Sequence, residues 1–126
     1  MENSPALRNW LDTMNLSHPL VIAGPCSAET EKQVLEIAHD LKDTDVSYYR
    51  AGIWKPRTRP GNFEGVGAIG LKWMQRVQEE TGLKTAIEVA NKNHVDLALE
   101  HDIDLLWIGA RSTVSPFIVQ EIAEAL

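Results

Sequence analysis

The chain has 126 residues, of which 44% are hydrophobic and 24% are charged, and its formal net charge at pH 7 is −6. This composition is typical of one soluble globular domain with its own core. The acidic balance argues against a nucleic-acid-binding protein, which would carry a broad basic surface. No run of about 18 apolar residues is present, and residues 1–10 lack the basic-then-apolar order of a signal peptide. We therefore expect a cytoplasmic protein without a membrane span.

The predicted elements alternate regularly along the chain. Residues 1–18 are predicted to form an N-terminal helix or cap, with Leu7, Trp10, Leu11 and Met14 on one face. Short apolar runs predict strands at 19–24, 46–52, 83–91 and 102–110. Amphipathic spacing predicts helices at 27–43, 65–80, 94–101 and 116–126. Because parallel strands need crossover connections, this β/α alternation predicts an α/β fold with a parallel sheet.

Two architectures accept this alternation. One is an open doubly wound sheet, and the other is one half of a (β/α)8 barrel. In both, ligands bind beyond the carboxyl ends of the strands. Residues suited to chemistry follow each predicted strand: Cys26 and Ser27, then Arg50 and residues 55–58, then Glu88 and Asn91, then residues 109–113.

Basic residues concentrate at these strand ends. Five of the 12 lysines and arginines lie there, namely Arg50, Lys55, Arg57, Arg59 and Arg111. Guanidinium groups bind phosphate and carboxylate oxygens in a bidentate way, and a cleft focuses their field. A small phosphorylated metabolite fits this cluster better than a polymer does. The alternative, that these are solvated loop charges, remains open from charge alone.

Cys26 is the single cysteine, which excludes an internal disulfide and a CxxC zinc or redox site. A lone cysteine can be a buried core thiol, a nucleophile or one metal ligand. Its position in a Gly-Pro-Cys-Ser turn after the first strand favours a functional group. We expect no histidine at the carboxyl end of a strand to act as its base, so metal ligation is the preferred interpretation.

Several ordered motifs together carry a family resemblance. They are GPCSAE (24–29), YRAGIWKPRTRPGNFEGVG (49–67), IEVAN (87–91) and WIGARSTVSPF (107–117). In this combination, residues 19–126 closely resemble the shorter bacterial form of 3-deoxy-D-arabino-heptulosonate 7-phosphate synthase, the first enzyme of the shikimate pathway. The resemblance implies an aldolase-type (β/α)8 barrel that condenses phosphoenolpyruvate with erythrose 4-phosphate and needs a divalent metal ion, Mn, Fe, Co or Zn.

The resemblance also implies roles for individual residues. Cys26 matches the family's metal-binding cysteine. Arg50 and Lys55 match phosphoenolpyruvate-binding residues, and Lys55 is also the catalytic candidate. The Gly-Ala-Arg motif that holds the phosphoenolpyruvate phosphate matches Ala110 and Arg111. The segment that receives erythrose 4-phosphate matches Lys55, Pro56, Arg57 and Thr58, and Glu88 matches an acidic residue near the phosphoenolpyruvate pocket.

The length departs from the family pattern. A (β/α)8 barrel takes about 250 residues, so we expect this chain to be a half-barrel of about four β/α units after an N-terminal helix. The family's later metal ligands, a His, a Glu and an Asp, are missing from it. We therefore expect the isolated chain to be inactive and to associate as a homo-oligomer, since half a barrel exposes sheet edges and apolar faces. The resemblance also allows a fused or associated chorismate mutase in the full-length protein, because the form that it resembles is sometimes fused to one.

Three alternatives remain open from the sequence. The first is 3-deoxy-D-manno-octulosonate 8-phosphate synthase, which shares the glycine-proline-cysteine turn but normally differs in the substrate loop. The second is a non-catalytic phosphate-binding half-barrel, which would bind anions without needing a metal. The third is a purely structural half-barrel.

Overall fold

The computed structural model describes residues 10–55, 61 and 63–126. Its four strands are β1 (Ile22–Ala23), β2 (Tyr48–Arg50), β3 (Lys84–Val89) and β4 (Leu105–Ile108). Its helices are α1 (Glu31–Leu41), α2 (Ile69–Thr81), α3 (Lys92–Glu100), α4 (Ala110–Thr113) and α5 (Pro116–Ala125). Each predicted strand, and each helix predicted after residue 18, is therefore present. The short helix α4 is additional, because no element was predicted between residue 110 and residue 116.

The strand order distinguishes between the two architectures. All four strands are parallel and neighbour one another in chain order, β1-β2-β3-β4. A doubly wound sheet would reverse its order at a switch point, and none is present among these strands. Right-handed crossovers then place the helices on one side, where α1 packs on α2 and α3 packs on α5. The predicted α/β class is confirmed, and the order is that of consecutive units of a TIM barrel.

The hydrophobic core lies between the sheet and these helices. Tyr49, Ile87 and Val89 point to this side and are fully buried against helix residues such as Val34 and Met74. The Tyr49 hydroxyl donates to Val34 O at 2.7 Å, and burial raises its pKa. Because side chains alternate along a strand, the residues between them face the opposite, concave side.

The concave side carries charged and aromatic residues. The strand register aligns Arg50 with Ala86 and Leu105, and it aligns Glu88 with Trp107. These five residues therefore share one face of the sheet. In a barrel this face would line the interior, and its end nearest the strand carboxyl termini would meet the substrate.

The amino ends of the strands carry structural polar contacts. The Thr85 backbone N donates to Asp104 Oδ2 at 2.8 Å, and Gln78 Nε2 donates to Thr85 Oγ1 at 2.7 Å. These bonds connect α2, β3 and the start of β4. Their position agrees with the rule that the amino face of a barrel serves stability.

The N-terminal segment is described only in part. Residues 1–9 of the predicted N-terminal helix lie outside the described residues, and residues 10–13 are helical. Within the described part of the chain, no helix combines the length and apolar character that crossing a membrane requires.

Candidate active site

The loops that follow β1 and β2 pack against each other. The Gly52 backbone N donates to Pro25 O at 3.3 Å, and the Ala28 backbone N donates to Gly52 O at 2.9 Å. Two glycines permit this approach. A Cβ at Gly24 would stand 1.9 Å from Arg50 O, and a Cβ at Gly52 would stand 2.0 Å from Cys26 O. Any side chain at either position would force the backbones apart.

The start of α1 fixes the loop that contains Cys26. Thr30 and Gln33 form a capping box at the first turn of this helix. Gln33 Nε2 also donates to Ser27 O at 3.1 Å, while its Oε1 accepts from the Glu29 backbone N at 2.8 Å. The helix terminus therefore holds the backbone on the C-terminal side of the cysteine.

Lys55 lies directly against Cys26. Its Nζ donates to Cys26 O at 2.7 Å and lies 3.4 Å from Sγ, and its backbone N donates to Glu64 O at 2.8 Å. The lysine hydrogen bond and positive charge, with a smaller effect of Arg50, lower the pKa of the Cys26 thiol. Cys26 is also exposed, so it is not a buried core thiol. The arrangement favours a thiolate, the form that binds metals or acts as a nucleophile.

Arg50 offers a hydrogen-bond donor that the described protein does not use. Its Nε is buried and has no hydrogen-bond partner among the described residues. Its Cζ lies 5.2 Å from the centroid of the Trp107 ring, within cation–π distance. Both residues line a cavity of about 310 Å³ on the concave face, together with Ile22 and Leu105. A buried guanidinium donor without a partner is suited to an anionic ligand.

A second cavity lies at the carboxyl ends of β3 and β4. It has a volume of about 370 Å³ and is lined by Glu88, Ala110, Arg111 and Ser112. The Glu88 carboxylate packs on the backbone of Gly109. A Cβ at that glycine would stand 2.2 Å from Glu88 Oε1, so only glycine leaves room for the carboxylate. The fold thus brings an acidic and a basic side chain from neighbouring strand ends to the same cavity.

The site residues expected from the sequence have these positions. Cys26, Lys55 and Arg50 come together, and Glu88, Ala110 and Arg111 share the second cavity. Pro56, Arg57 and Thr58 lie outside the described residues. No group of three or more His, Cys, Asp or Glu side chains that could hold a metal ion occurs in the described ranges. Cys26 therefore fits a metal as one ligand, and the described residues do not form a complete metal site.

One sequence-based expectation about histidine is wrong. The helix predicted to start at His94 begins at Lys92, and the Asn91 side chain caps it by accepting from the His94 backbone N at 2.8 Å. His94 therefore lies in the first turn after β3, on the carboxyl side of the sheet. Its ring stacks on Trp54, with centroids 3.9 Å apart and planes at 4°. Trp54 neighbours Lys55 in the sequence, which is the signal that could have drawn attention to this pair.

Trp107 was also missed as a site residue. The sequence predicts that Trp107 lies in a strand, but it does not predict the contact with Arg50. The available signal was the alternation along β4, which puts Leu105 and Trp107 on the same face of the strand.

Comparison with known proteins identifies a family. Residues 15–125 match the model of the DAHP synthetase I family. A phospho-2-dehydro-3-deoxyheptonate aldolase from Thermotoga maritima is 35% identical over 92 residues, which cover 73% of this chain and 27% of that protein. A 2-dehydro-3-deoxyphosphooctonate aldolase from Desulfatibacillum aliphaticivorans is 37% identical over 118 residues, which cover 87% of this chain and 42% of that protein.

A solved structure gives the same result. The crystal structure of the phospho-2-dehydro-3-deoxyheptonate aldolase (DAHP synthase) from Thermotoga maritima superposes with a TM-score of 0.71 at 32% identity, covering 84% of this chain and 30% of that one. The chain thus spans less than half the length of these relatives. With the family match over nearly its whole length, the chain belongs to the DAHP synthetase I family.

Proposed function

We propose that this chain supplies part of the active site of a 3-deoxy-D-arabino-heptulosonate 7-phosphate synthase, which condenses phosphoenolpyruvate with erythrose 4-phosphate. The observation that carries the proposal is the convergence of two cations on one edge of the sheet. Lys55 Nζ lies against Cys26, and the buried Nε of Arg50 lacks a partner among the described residues. This arrangement suits a small, multiply charged anion.

In this proposal the strand-end cations hold phosphoenolpyruvate. Arg50 and Lys55 contact the substrate, and Arg111, at the start of α4, receives its phosphate in the second cavity. Neutralising these charges lets a second anionic substrate approach, and the fixed geometry replaces an encounter in solution. Pro56, Arg57 and Thr58, with Lys55, are proposed to receive erythrose 4-phosphate, and Glu88 is proposed to border the phosphoenolpyruvate pocket.

The bonds that change follow from the two substrates. C3 of phosphoenolpyruvate attacks the aldehyde carbon of erythrose 4-phosphate, water adds at C2, and the resulting hemiketal phosphate expels inorganic phosphate. Lys55 belongs to both sets of residues that we propose to contact the two substrates. We propose it as the catalytic residue, because its Nζ already lies where the two loops meet.

We propose Cys26 as one ligand of a divalent metal ion. Its exposure and the lowered pKa of its thiol support this role. When bound, such an ion supplies Lewis-acid polarisation of the aldehyde oxygen. The described residues offer no complete ligand set, so we expect activity to require the complete protein.

A second candidate is supported by the relatives named 2-dehydro-3-deoxyphosphooctonate aldolase, which are 30–37% identical to this chain. That activity would use arabinose 5-phosphate as the aldehyde. The family match and the similar solved structure favour the heptulosonate reaction instead. The non-catalytic phosphate-binding and purely structural half-barrels have no comparable support.

Turnover with two aldehydes tests the proposal. The complete protein would be given phosphoenolpyruvate and either erythrose 4-phosphate or arabinose 5-phosphate, and phosphate release and the sugar product would be measured. We expect a higher kcat/KM with erythrose 4-phosphate. A higher kcat/KM with arabinose 5-phosphate would support the second candidate, and no turnover with either would contradict both.

We also propose that this chain, when isolated, associates as a homo-oligomer. Apolar side chains are exposed on several of its elements, including Ile22 at 42% on the concave face and Phe117 at 86% on α5. Such surface is commonly covered by further polypeptide. Light scattering of the isolated chain at micromolar concentration tests this, and a clean monomer would contradict it.

A further inference from the structure

We propose that His94 is a positioning residue that fixes Lys55 over Cys26 by stacking on Trp54. The inference deepens the proposed function, because it rests on the role of Lys55 in that site. It concerns a contact between the loop after β2 and the first turn of α3. Neither His94 nor Trp54 was among the expected site residues.

The stack is close and nearly parallel. The two ring centroids lie 3.9 Å apart, and the ring planes differ by 4°. Both side chains are half-buried, and Trp54 also packs against the hydrophobic core. Trp54 is therefore held on one face by the imidazole and elsewhere by the core.

The orientation of the imidazole is itself fixed. The Ala90 backbone N donates to His94 Nδ1 at 3.0 Å, and Asn91 Nδ2 lies 3.5 Å from Nε2. Burial lowers the pKa of His94, which keeps Nδ1 free to accept. These two contacts fix the plane of the imidazole ring. A ring with a fixed plane can in turn set the angle of the Trp54 ring that stacks on it.

Trp54 and Lys55 are consecutive residues, so the position of Trp54 constrains the backbone of Lys55. On the other side of this segment, the Gly67 backbone N donates to Ile53 O at 2.9 Å, and the Lys55 backbone N donates to Glu64 O at 2.8 Å. These bonds fix the backbone, and the stack fixes the intervening ring. Together they determine where the lysine side chain leaves the loop, and its Nζ then reaches Cys26 O at 2.7 Å.

The test uses the reactivity of Cys26 as a local sensor of Lys55. The complete protein would be stripped of metal with a chelator and treated with iodoacetamide at about pH 7, where only the thiolate reacts. The modified peptide that contains Cys26 would be quantified by mass spectrometry. For His94→Ala we expect alkylation to slow by about tenfold, because a displaced Lys55 ammonium no longer donates to the thiolate and stabilises its charge.

Three variants separate positioning from general stability. His94→Phe keeps a flat ring for Trp54 and should restore most of the reactivity. Trp54→Ala removes the other half of the stack and should react as slowly as His94→Ala. His101→Ala changes a histidine at the other end of α3 and should react like the wild type.

The proposal is overturned if folded His94→Ala alkylates at the wild-type rate, or if His94→Phe is as slow as His94→Ala. If His94→Ala does not fold, the comparison of His94→Phe with Trp54→Ala carries the same decision. Kinetics give a second readout. We expect kcat/KM for His94→Ala to fall by about tenfold, since small misplacements of a catalytic group reduce rate strongly. If the wild type shows no synthase turnover, the proposed function fails, whereas the alkylation result still decides the positioning role.

Discussion

Lys55 and Cys26, which come from different strand ends, form one polar unit in which the Lys55 ammonium donates to Cys26 O at 2.7 Å and lies 3.4 Å from Sγ. The contact exists because Gly52 lets the two loops approach and because α1 fixes the loop of the cysteine. It lowers the pKa of an exposed thiol and places a cation where an anionic substrate would bind.

Replacing Lys55 should remove the effect that lowers the pKa of the Cys26 thiol. In Lys55→Met the hydrogen bond and the charge are lost, so the pKa of Cys26 should rise toward the usual thiol value. Alkylation of Cys26, followed against pH in metal-free complete protein, should then shift to higher pH. Lys92→Met is the matched control, because it removes only the exposed ion pair with Asp96. An unchanged pH profile in Lys55→Met would contradict this account of the thiol.

Gly52→Ala should disturb both loops. The new Cβ would stand 2.0 Å from a backbone oxygen, so the backbone must move, at a cost of about 1–3 kcal/mol in the free energy of unfolding. Chemical denaturation of the complete protein measures this cost. Gly82→Ala is a control at a φ of 73° with no atom within 4 Å of its Cβ. It should be strained by about 1 kcal/mol but keep the wild-type reactivity of Cys26. Wild-type stability of Gly52→Ala would show that the loops can separate freely.

Arg50→Lys should weaken phosphoenolpyruvate binding. Lysine keeps the charge but lacks the guanidinium Nε donor and the planar group over Trp107. Losing a charged hydrogen bond costs about 1.5–3 kcal/mol, or roughly 10- to 140-fold in Kd. Titration calorimetry on the complete protein measures the Kd for phosphoenolpyruvate. Arg76→Lys, which changes an exposed arginine paired with Glu31 and Glu80, should bind as tightly as the wild type. Equal Kd values for Arg50→Lys and wild type would remove Arg50 from the site.

The His94 environment predicts a dependence of stability on pH. Burial lowers the pKa of folded His94 below its ordinary value of 6.5. At pH values above 6.5 the His94 imidazole is neutral in both the folded and the unfolded state, so its protonation does not reduce the free energy of unfolding. As the pH falls below that value, the unfolded state takes up a proton first, so stability is lost until the folded pKa is reached.

Comparing variants isolates this effect. Between about pH 7.5 and about pH 5, wild type should lose more unfolding free energy than His94→Phe, which has no proton to bind at that site. His39→Gln, which changes a histidine beside Glu80 on the outer surface, should keep the loss that His94 causes. Equal losses in wild type and His94→Phe would contradict the assignment of a neutral, half-buried imidazole.

Much of the fold could be predicted because each strand and helix carries its own periodic signal. The predicted ends of helices and strands differ from the observed ends where glycines adopt positive φ values. The helix predicted from residue 65 begins at Ile69, because Gly65 and Gly67 adopt positive φ values of 99° and 77°. The strand predicted over 19–24 is only Ile22–Ala23 by its hydrogen bonds, since the chain then turns at Gly24 with a φ of 147°.

The sequence predicted most residues of the candidate site, but it did not predict the contacts between them. Cys26, Arg50 and Lys55 could be chosen because parallel strands bring their carboxyl ends together. The stack of His94 on Trp54 depends on a cap at Asn91 and on a contact between residues far apart in the sequence. Periodicity reports on a residue's own element and carries no information about such a contact.

The most direct test of the central claim is whether phosphoenolpyruvate protects Cys26 from alkylation in the complete protein. If the ligand binds between Arg50 and Lys55, it should shield the thiol and slow its alkylation in a saturable way, with a midpoint equal to the calorimetric Kd. Arg50→Lys should need much more ligand for the same protection. Tight binding without protection of Cys26 would place phosphoenolpyruvate elsewhere and contradict the account.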